Sequence, residues 1–135
     1  DYIRYPSPDF DVSLAARQAF RDHLVADLAP AEVQQLETLG RTDPLVWMRR
    51  YPERWHAFRR ERLTALVRRI AAEVRARPGV ALSAAVLPDP ADARDRKLQD
   101  WSRWLSDGLL DAISPMAYAE DLPAFETQIT QAREG

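Results

Sequence analysis

Three short stretches of the chain carry side chains that can do chemistry, and each stands where an apolar run stops. The first is Asp1-Tyr2-Ile3-Arg4-Tyr5-Pro6, with one carboxylate, one guanidinium and two phenols in six residues. The second is Asp89, two residues after Leu87. The third holds Met116 and Tyr118, after the run that begins at Leu110. Carboxylates, an arginine and aromatic rings gathered at strand ends make a polar cleft with stacking surfaces. Sugars suit such a cleft, because they offer hydroxyls to carboxylates and an apolar ring face to aromatics. In βα barrels, the carboxyl ends of the strands are where active sites lie.

Other residue types point to less. His23 and His56 are isolated positions on helical patterns without metal-ligand spacing. Gly40, Gly79, Gly108 and Gly135 are too scattered for a phosphate-binding loop, so no cofactor is implied. Trp47, Trp55, Trp101 and Trp104 fall on helical patterns and are read as core. There is no cysteine, which removes disulfides and thiolate metal sites.

The elements that must position these residues follow from punctuation and period. Tyr and Ile favour strand in the first hexapeptide, and Pro6-Ser7-Pro8 ends it, so residues 1–6 read as the end of a strand whose beginning precedes Asp1. Ser13 caps a helix to about Ala29. Pro30 opens a second helix to about Leu39, stopped by Gly40, and Asp43-Pro44 opens a third to Arg50. The best-defined helix runs from about Pro52 to Ala76. Its stripe of Trp55, Phe58, Leu63, Leu66, Val67, Ile70 and Val74 faces inward, with Arg59, Arg60, Arg68, Arg69 and Arg75 on the wet side. Val80–Leu87 is a continuous apolar run, suited to a strand buried on both faces. A single helix is predicted over Ala91–Asp107, with Leu98, Trp101 and Leu105 inward and Gly108 as its stop. Asp111–Met116 follows as a strand that Pro115 brings to its end, and a last helix covers Pro123–Arg133. Asp111 opens its strand at the end away from the cleft and is not read as catalytic.

This alternation predicts an α/β fold with Val80–Leu87 and Asp111–Met116 as parallel neighbours and the strand at Asp1 on the other side of the first. No repeat or linker interrupts the 135 residues, which read as one continuous part of one domain. A whole (β/α)8 barrel takes about 250 residues, so the chain accommodates only a part of one. Hydrophobic residues at 46% and charged residues at 30% give a globular balance. A net charge of −2 supplies no bulk attraction to nucleic acid or an anionic membrane. Eighteen arginines against the single Lys97 reflect nucleotide composition more than a binding surface. No apolar run approaches the roughly 18 residues of a membrane span.

The hexapeptide resembles the strand-end motif of the family 10-like glycoside hydrolases, bacterial proteins with (β/α)8 barrels. The resemblance continues through Trp55, Phe58-Arg59-Arg60, Leu63-Thr64, the strand Leu82–Val86, Gln99-Asp100-Trp101, Trp104-Leu105, Gly108, Leu110-Asp111 and Ser114-Pro115-Met116-Ala117-Tyr118. It implies an interior part of such a barrel, about strands four to six with their helices. The rest of the barrel lies in the parent chain, where any partner acid stands. It also implies hydrolysis of O-glycosidic bonds in bacterial cell-wall or other polysaccharide, and a secreted, periplasmic or cell-envelope location. The family's strand-end acid carries over to Asp1. Glycoside hydrolysis needs two carboxylates, one to protonate the leaving oxygen and one to attack or to activate water, about 5 Å apart for retention and about 6.5–9.5 Å for inversion. Asp1 is the first candidate, against the alternative of a strand-end cap. Asp89 is weaker, since Pro88-Asp89-Pro90 is also an ordinary helix entry. Tyr2, Arg4, Tyr5, Met116 and Tyr118 are candidate substrate-binding residues. For Arg4 the alternative is a surface ion pair, and for Tyr118 it is core packing.

Two rival readings remain: a carbohydrate-binding relative without catalysis, and an interaction domain built on the arginine-rich helix. Salt separates the last from the others, since binding of an acidic partner weakens steeply with ionic strength and glycan binding does not. The barrel reading predicts that the isolated chain, with outer strands unpaired, associates or is marginally stable. Sedimentation at high concentration, with denaturant unfolding, checks this. A monomer with a single cooperative transition would count against it.

Overall fold

The computed structural model of the protein describes residues 3–134. The elements follow in the order α1 (Leu14–Val25), α2 (Pro30–Gly40), α3 (Val46–Arg50), α4 (Pro52–Arg75), β1 (Ser83–Val86), α5 (Pro90–Lys97), α6 (Trp101–Ser106), β2 (Ala112–Pro115) and α7 (Leu122–Glu134). They divide into two compact units, residues 9–58 and residues 3–8 with 59–134.

The smaller unit is helical. Ser13 caps α1 as its residue type demands, with Oγ accepting from the Ala16 amide at 3.3 Å. Asp43 bonds in the turn before α3 and is not its N-cap, which is Leu45. Its Oδ1 accepts from the Leu45 amide at 3.0 Å, and α3 begins only at Val46. The core is Phe20, Leu24, Leu36, Trp47, Met48 and Trp55. Phe20 meets Trp55 edge-on at 4.9 Å, the geometry that the ring quadrupoles favour. At its margin Tyr51 donates to Glu32, and burial together with that carboxylate raises the phenol's pKa.

The larger unit contains the sheet. β1 and β2 pair in parallel, with Ser83 opposite Ala112 and Val86 opposite Pro115. The predicted parallel neighbours are thus present, each shorter than the apolar run that announced it. Ala84 and Val86 turn into a core with Leu63, Val67, Ala93, Trp101, Trp104 and Leu110. The opposite face carries small residues: Ser83, Ala112 and Ser114 are exposed and Ala85 is half-buried. Pro115 is tolerated because its register sends the missing N–H away from β1, while the next amide, Met116, donates to Val86 O at 2.8 Å. At the amino ends, Asp111 closes the pair: its amide donates to Leu82 O, and its Oδ2 accepts from the Leu82 amide at 2.7 Å.

Three expectations need correction. Residues 3–6 are not in a strand; Asp1 and Tyr2, the rest of that segment, lie outside the described residues. Arg59 is not on the wet face of α4: it is 1% exposed, while Leu66 and Ile70 of the predicted apolar stripe are 43% and 38% exposed. The helix therefore turns slightly from the orientation that hydrophobic period alone assigns, and Ala71 takes an inward place.

The third correction is the helix over Ala91–Asp107, which is broken. Leu98 adopts φ 55°, in the left-handed region, and separates α5 from α6. That conformation costs a non-glycine residue about 1–2 kcal/mol. Full burial of the Leu98 side chain returns about 1.5–3 kcal/mol, and the break also buries Gln99 with its hydrogen bonds made. Burial outweighs backbone preference. Leu98→Gly relieves the backbone but removes a buried side chain worth about 2–5 kcal/mol. A net loss of roughly 1–3 kcal/mol is expected in urea unfolding. Unchanged or raised stability would show that backbone strain, and not packing, dominates at this position.

Candidate functional site

The carboxyl end of β1 collects the chemistry-bearing segments. In a parallel pair the peptide groups of alternate residues face opposite edges. Val86 faces β2, so Ala85 and Leu87 face the other edge. Gln99 occupies that edge. Its Oε1 accepts from the Leu87 amide at 2.9 Å and its Nε2 donates to Ala85 O at 3.2 Å. The second Nε2 hydrogen goes to Ile3 O at 3.3 Å. One buried side-chain amide thus joins the end of β1 to the segment that carries Arg4 and Tyr5.

That segment is held again two residues on. The Tyr5 amide donates to Lys97 O at 3.0 Å, and Lys97 Nζ donates to Pro6 O. The Arg59 guanidinium lies over the Tyr5 ring, 5.7 Å from its centroid, a cation–π contact strengthened by burial. Arg60 stands 3.8 Å from Asp100, a pair mostly removed from solvent. The helices explain this convergence. α4 leads back to the amino end of β1, and α6 leads to the amino end of β2. Arg59 and Arg60, in the amino-terminal half of α4, and Asp100, the N-cap of α6, consequently stand towards the strands' carboxyl ends.

The sequence-derived candidates take distinct places. Arg4 and Tyr5 are half-buried beside β1. Met116 is half-buried and tied to Val86 by its amide, whereas Tyr118 is 87% exposed, which removes the core-packing alternative. Asp89 is the N-cap of α5, its Oδ1 accepting from the amides of Ala91 at 2.8 Å and Asp92 at 3.1 Å. Its carboxylate thus has a structural duty, the helix entry that Pro-Asp-Pro suggests. Asp1 and Tyr2 lie outside the described residues.

Gln99, Arg59 and Asp100 escaped the sequence reading as parts of this region. A signal for the first and last existed: Asp100 stands directly before Trp101 as a residue type that starts helices, which marks a break inside the supposed single helix. Nothing in a run of eighteen arginines singles out Arg59. The tryptophans are core, as read. Trp101 Nε1 donates to Leu87 O at 3.0 Å, and Trp104 Nε1 to Thr64 Oγ1 at 2.9 Å. Among the described residues no cluster of three His, Asp or Glu side chains could hold a metal ion, and no helix is long and apolar enough to cross a membrane.

The profile of the glycosyl hydrolase-like 10 family matches residues 19–134. The chain belongs to that family. The matched stretch contains β1, β2, Asp89, Gln99 and Met116–Tyr118, and begins after the amino-terminal hexapeptide. No curated protein and no solved structure matches the chain significantly.

The larger unit's main exposed charge network lies outside the strand-end cluster. Glu61 accepts from Arg68 and Arg103, both at 2.9 Å, and these bonds hold its carboxyl below the usual pKa. A lowered folded-state pKa adds stability above the unfolded carboxyl pKa, and that contribution disappears as pH falls through the folded value. Glu61→Gln is therefore expected to lower stability at pH 7 by no more than about 1 kcal/mol, given the exposure of the network. At pH 3, below the unfolded carboxyl pKa, the gap should be smaller. Urea midpoints at both pH values check this, and an equal gap at both would assign the effect to packing.

Proposed function

We propose that the chain is an interior part of a (β/α)8 barrel, about strands four to six with their helices, in an enzyme that hydrolyses O-glycosidic bonds of bacterial cell-wall or other polysaccharide. The observation that carries the proposal is membership of a glycosyl hydrolase-like family in a chain whose parallel β1–α5–α6–β2 unit directs its candidate residues to strand carboxyl ends. The small residues on the uncovered sheet face suit a barrel interior, where facing strands approach closely. An apolar groove beside β1, lined by Ile3, Val67, Ile70, Leu82 and Trp104, suits the strand that a barrel would place there. The rest of the barrel, in the parent chain, is its proposed occupant.

In this reading Asp1 supplies an essential acid. Tyr2, Arg4, Tyr5, Met116 and Tyr118 bind the glycan, with Tyr118 offering an exposed ring to a sugar face. Asp89 lies beside the cleft with one oxygen committed to α5, which favours orientation of a sugar hydroxyl over proton transfer. The second carboxylate comes from the remainder of the barrel. Carbohydrate is the fitting ligand class because the region combines aromatic faces with hydrogen-bonding groups and little net charge.

Asp1→Asn in the intact protein keeps shape and hydrogen-bonding reach but removes proton chemistry. Loss of a general acid or base costs on the order of 10²–10⁴ in rate. Turnover of purified bacterial glycan strands is expected to fall by that factor, with the circular dichroism spectrum unchanged. Near-normal turnover by the folded variant would remove Asp1 from the mechanism.

A further inference from the structure

We infer that Gln99 is a positioning residue, a side-chain latch that stands in for one residue of a neighbouring strand and fixes the Ile3–Tyr5 segment at the carboxyl end of β1. The inference rests on the proposed glycan cleft for its functional consequence, but the latch itself rests on geometry alone.

A parallel neighbour bonds to an edge strand through one residue that accepts from the amide of residue i+1 and donates to the carbonyl of residue i−1. Around Val86 those groups are the Leu87 amide and the Ala85 carbonyl. Gln99 accepts from the first and donates to the second, at 2.9 Å and 3.2 Å. Its amide therefore fills the place opposite Val86 that the N–H and C=O of one strand residue would take. A peptide N–H has one hydrogen, whereas a primary amide has two. The extra hydrogen reaches Ile3 O at 3.3 Å. The incoming segment is thereby bound to the side chain at Ile3, and two residues later it pairs with Lys97 O. Arg4 and Tyr5 are presented beside the strand end instead of being consumed in the ladder.

Two features fit the latch. Gln99 is 0% exposed, so each of its bonds replaces water that cannot reach it. Leu98 holds the left-handed conformation that separates Gln99 from the regular path of α5. A side chain buried only for packing would need neither three bonds to two separate backbone segments nor a broken helix before it.

Amide hydrogen exchange in the intact protein tests the latch without reference to activity. If one side chain ties both segments, the Leu87 and Tyr5 amides open together in the wild type, with protection alike to within about tenfold. A larger difference would overturn the coupling. In Gln99→Met, of similar length but without hydrogen bonds, both amides are expected to exchange on the order of tenfold or more faster. The Met116 amide, bonded across to Val86, should keep its protection. Faster exchange at Leu87 alone would reduce Gln99 to a local edge cap and overturn the proposal. Should the variant lose Met116 protection as well, it has unfolded and the wild-type comparison decides.

The functional arm is turnover of purified bacterial glycan strands. Displacement of cleft residues is expected to lower kcat by about tenfold to a hundredfold with a smaller change in KM. Unchanged kcat and KM in a variant whose Tyr5 amide is released would overturn the positioning role. A wild-type protein without turnover or glycan binding would instead defeat the proposed function, and the exchange measurements would still decide the latch.

Discussion

The arrangement at the strand ends depends on one constraint: the outward peptide groups at the end of β1, partly removed from water, must be paired. An unpaired buried backbone group costs about as much as a lost hydrogen bond, so it is rarely left. Gln99 meets the requirement with a side chain. For that amide to arrive, the chain must leave α5, turn through Leu98 and restart as α6. The helix break, the burial of Leu98 and the placement of the Ile3–Tyr5 segment are consequences of satisfying two backbone groups.

The two indole donors of the larger unit are paired in the same manner. Trp101 spends its indole N–H on Leu87 O, the residue whose amide Gln99 accepts, so both peptide atoms of Leu87 are held by side chains of one short stretch. Trp104 turns its N–H to the hydroxyl of Thr64 across to α4, where both groups are fully buried. These bonds add direction to an apolar core that would otherwise fix only proximity. They explain why two large aromatic residues on a six-residue helix can pack without leaving an orphan donor.

The arginines divide by environment. Several form exposed pairs such as Arg94 with Asp95 and Arg96 with Asp92, which contribute solubility more than stability. Arg59 is the exception, enclosed over the face of Tyr5. A guanidinium suits that position better than an ammonium, since its plane is weakly hydrated and stacks on a ring. The same residue type thus serves as solvated surface on one side of α4 and as a buried contact to the strand-end segment on the other.

Much was decided by the sequence. The two strands, their parallel pairing, the helices around them and the core tryptophans follow from continuous apolar runs, helical period and Pro or Gly punctuation, all of which act over a few residues. The family resemblance was also legible, carried by short segments in order along most of the chain. Tertiary structure alone decided which face of α4 turns inward, so that Arg59 is enclosed while Leu66 and Ile70 remain partly exposed. It also decided that Ala91–Asp107 breaks at Leu98. Those outcomes rest on hydrogen bonds and packing between residues far apart in the chain, Gln99 with Ile3 and Arg59 with Tyr5 among them. Local propensity cannot register a partner that lies more than fifty positions away, and at Leu98 burial and pairing outweigh it.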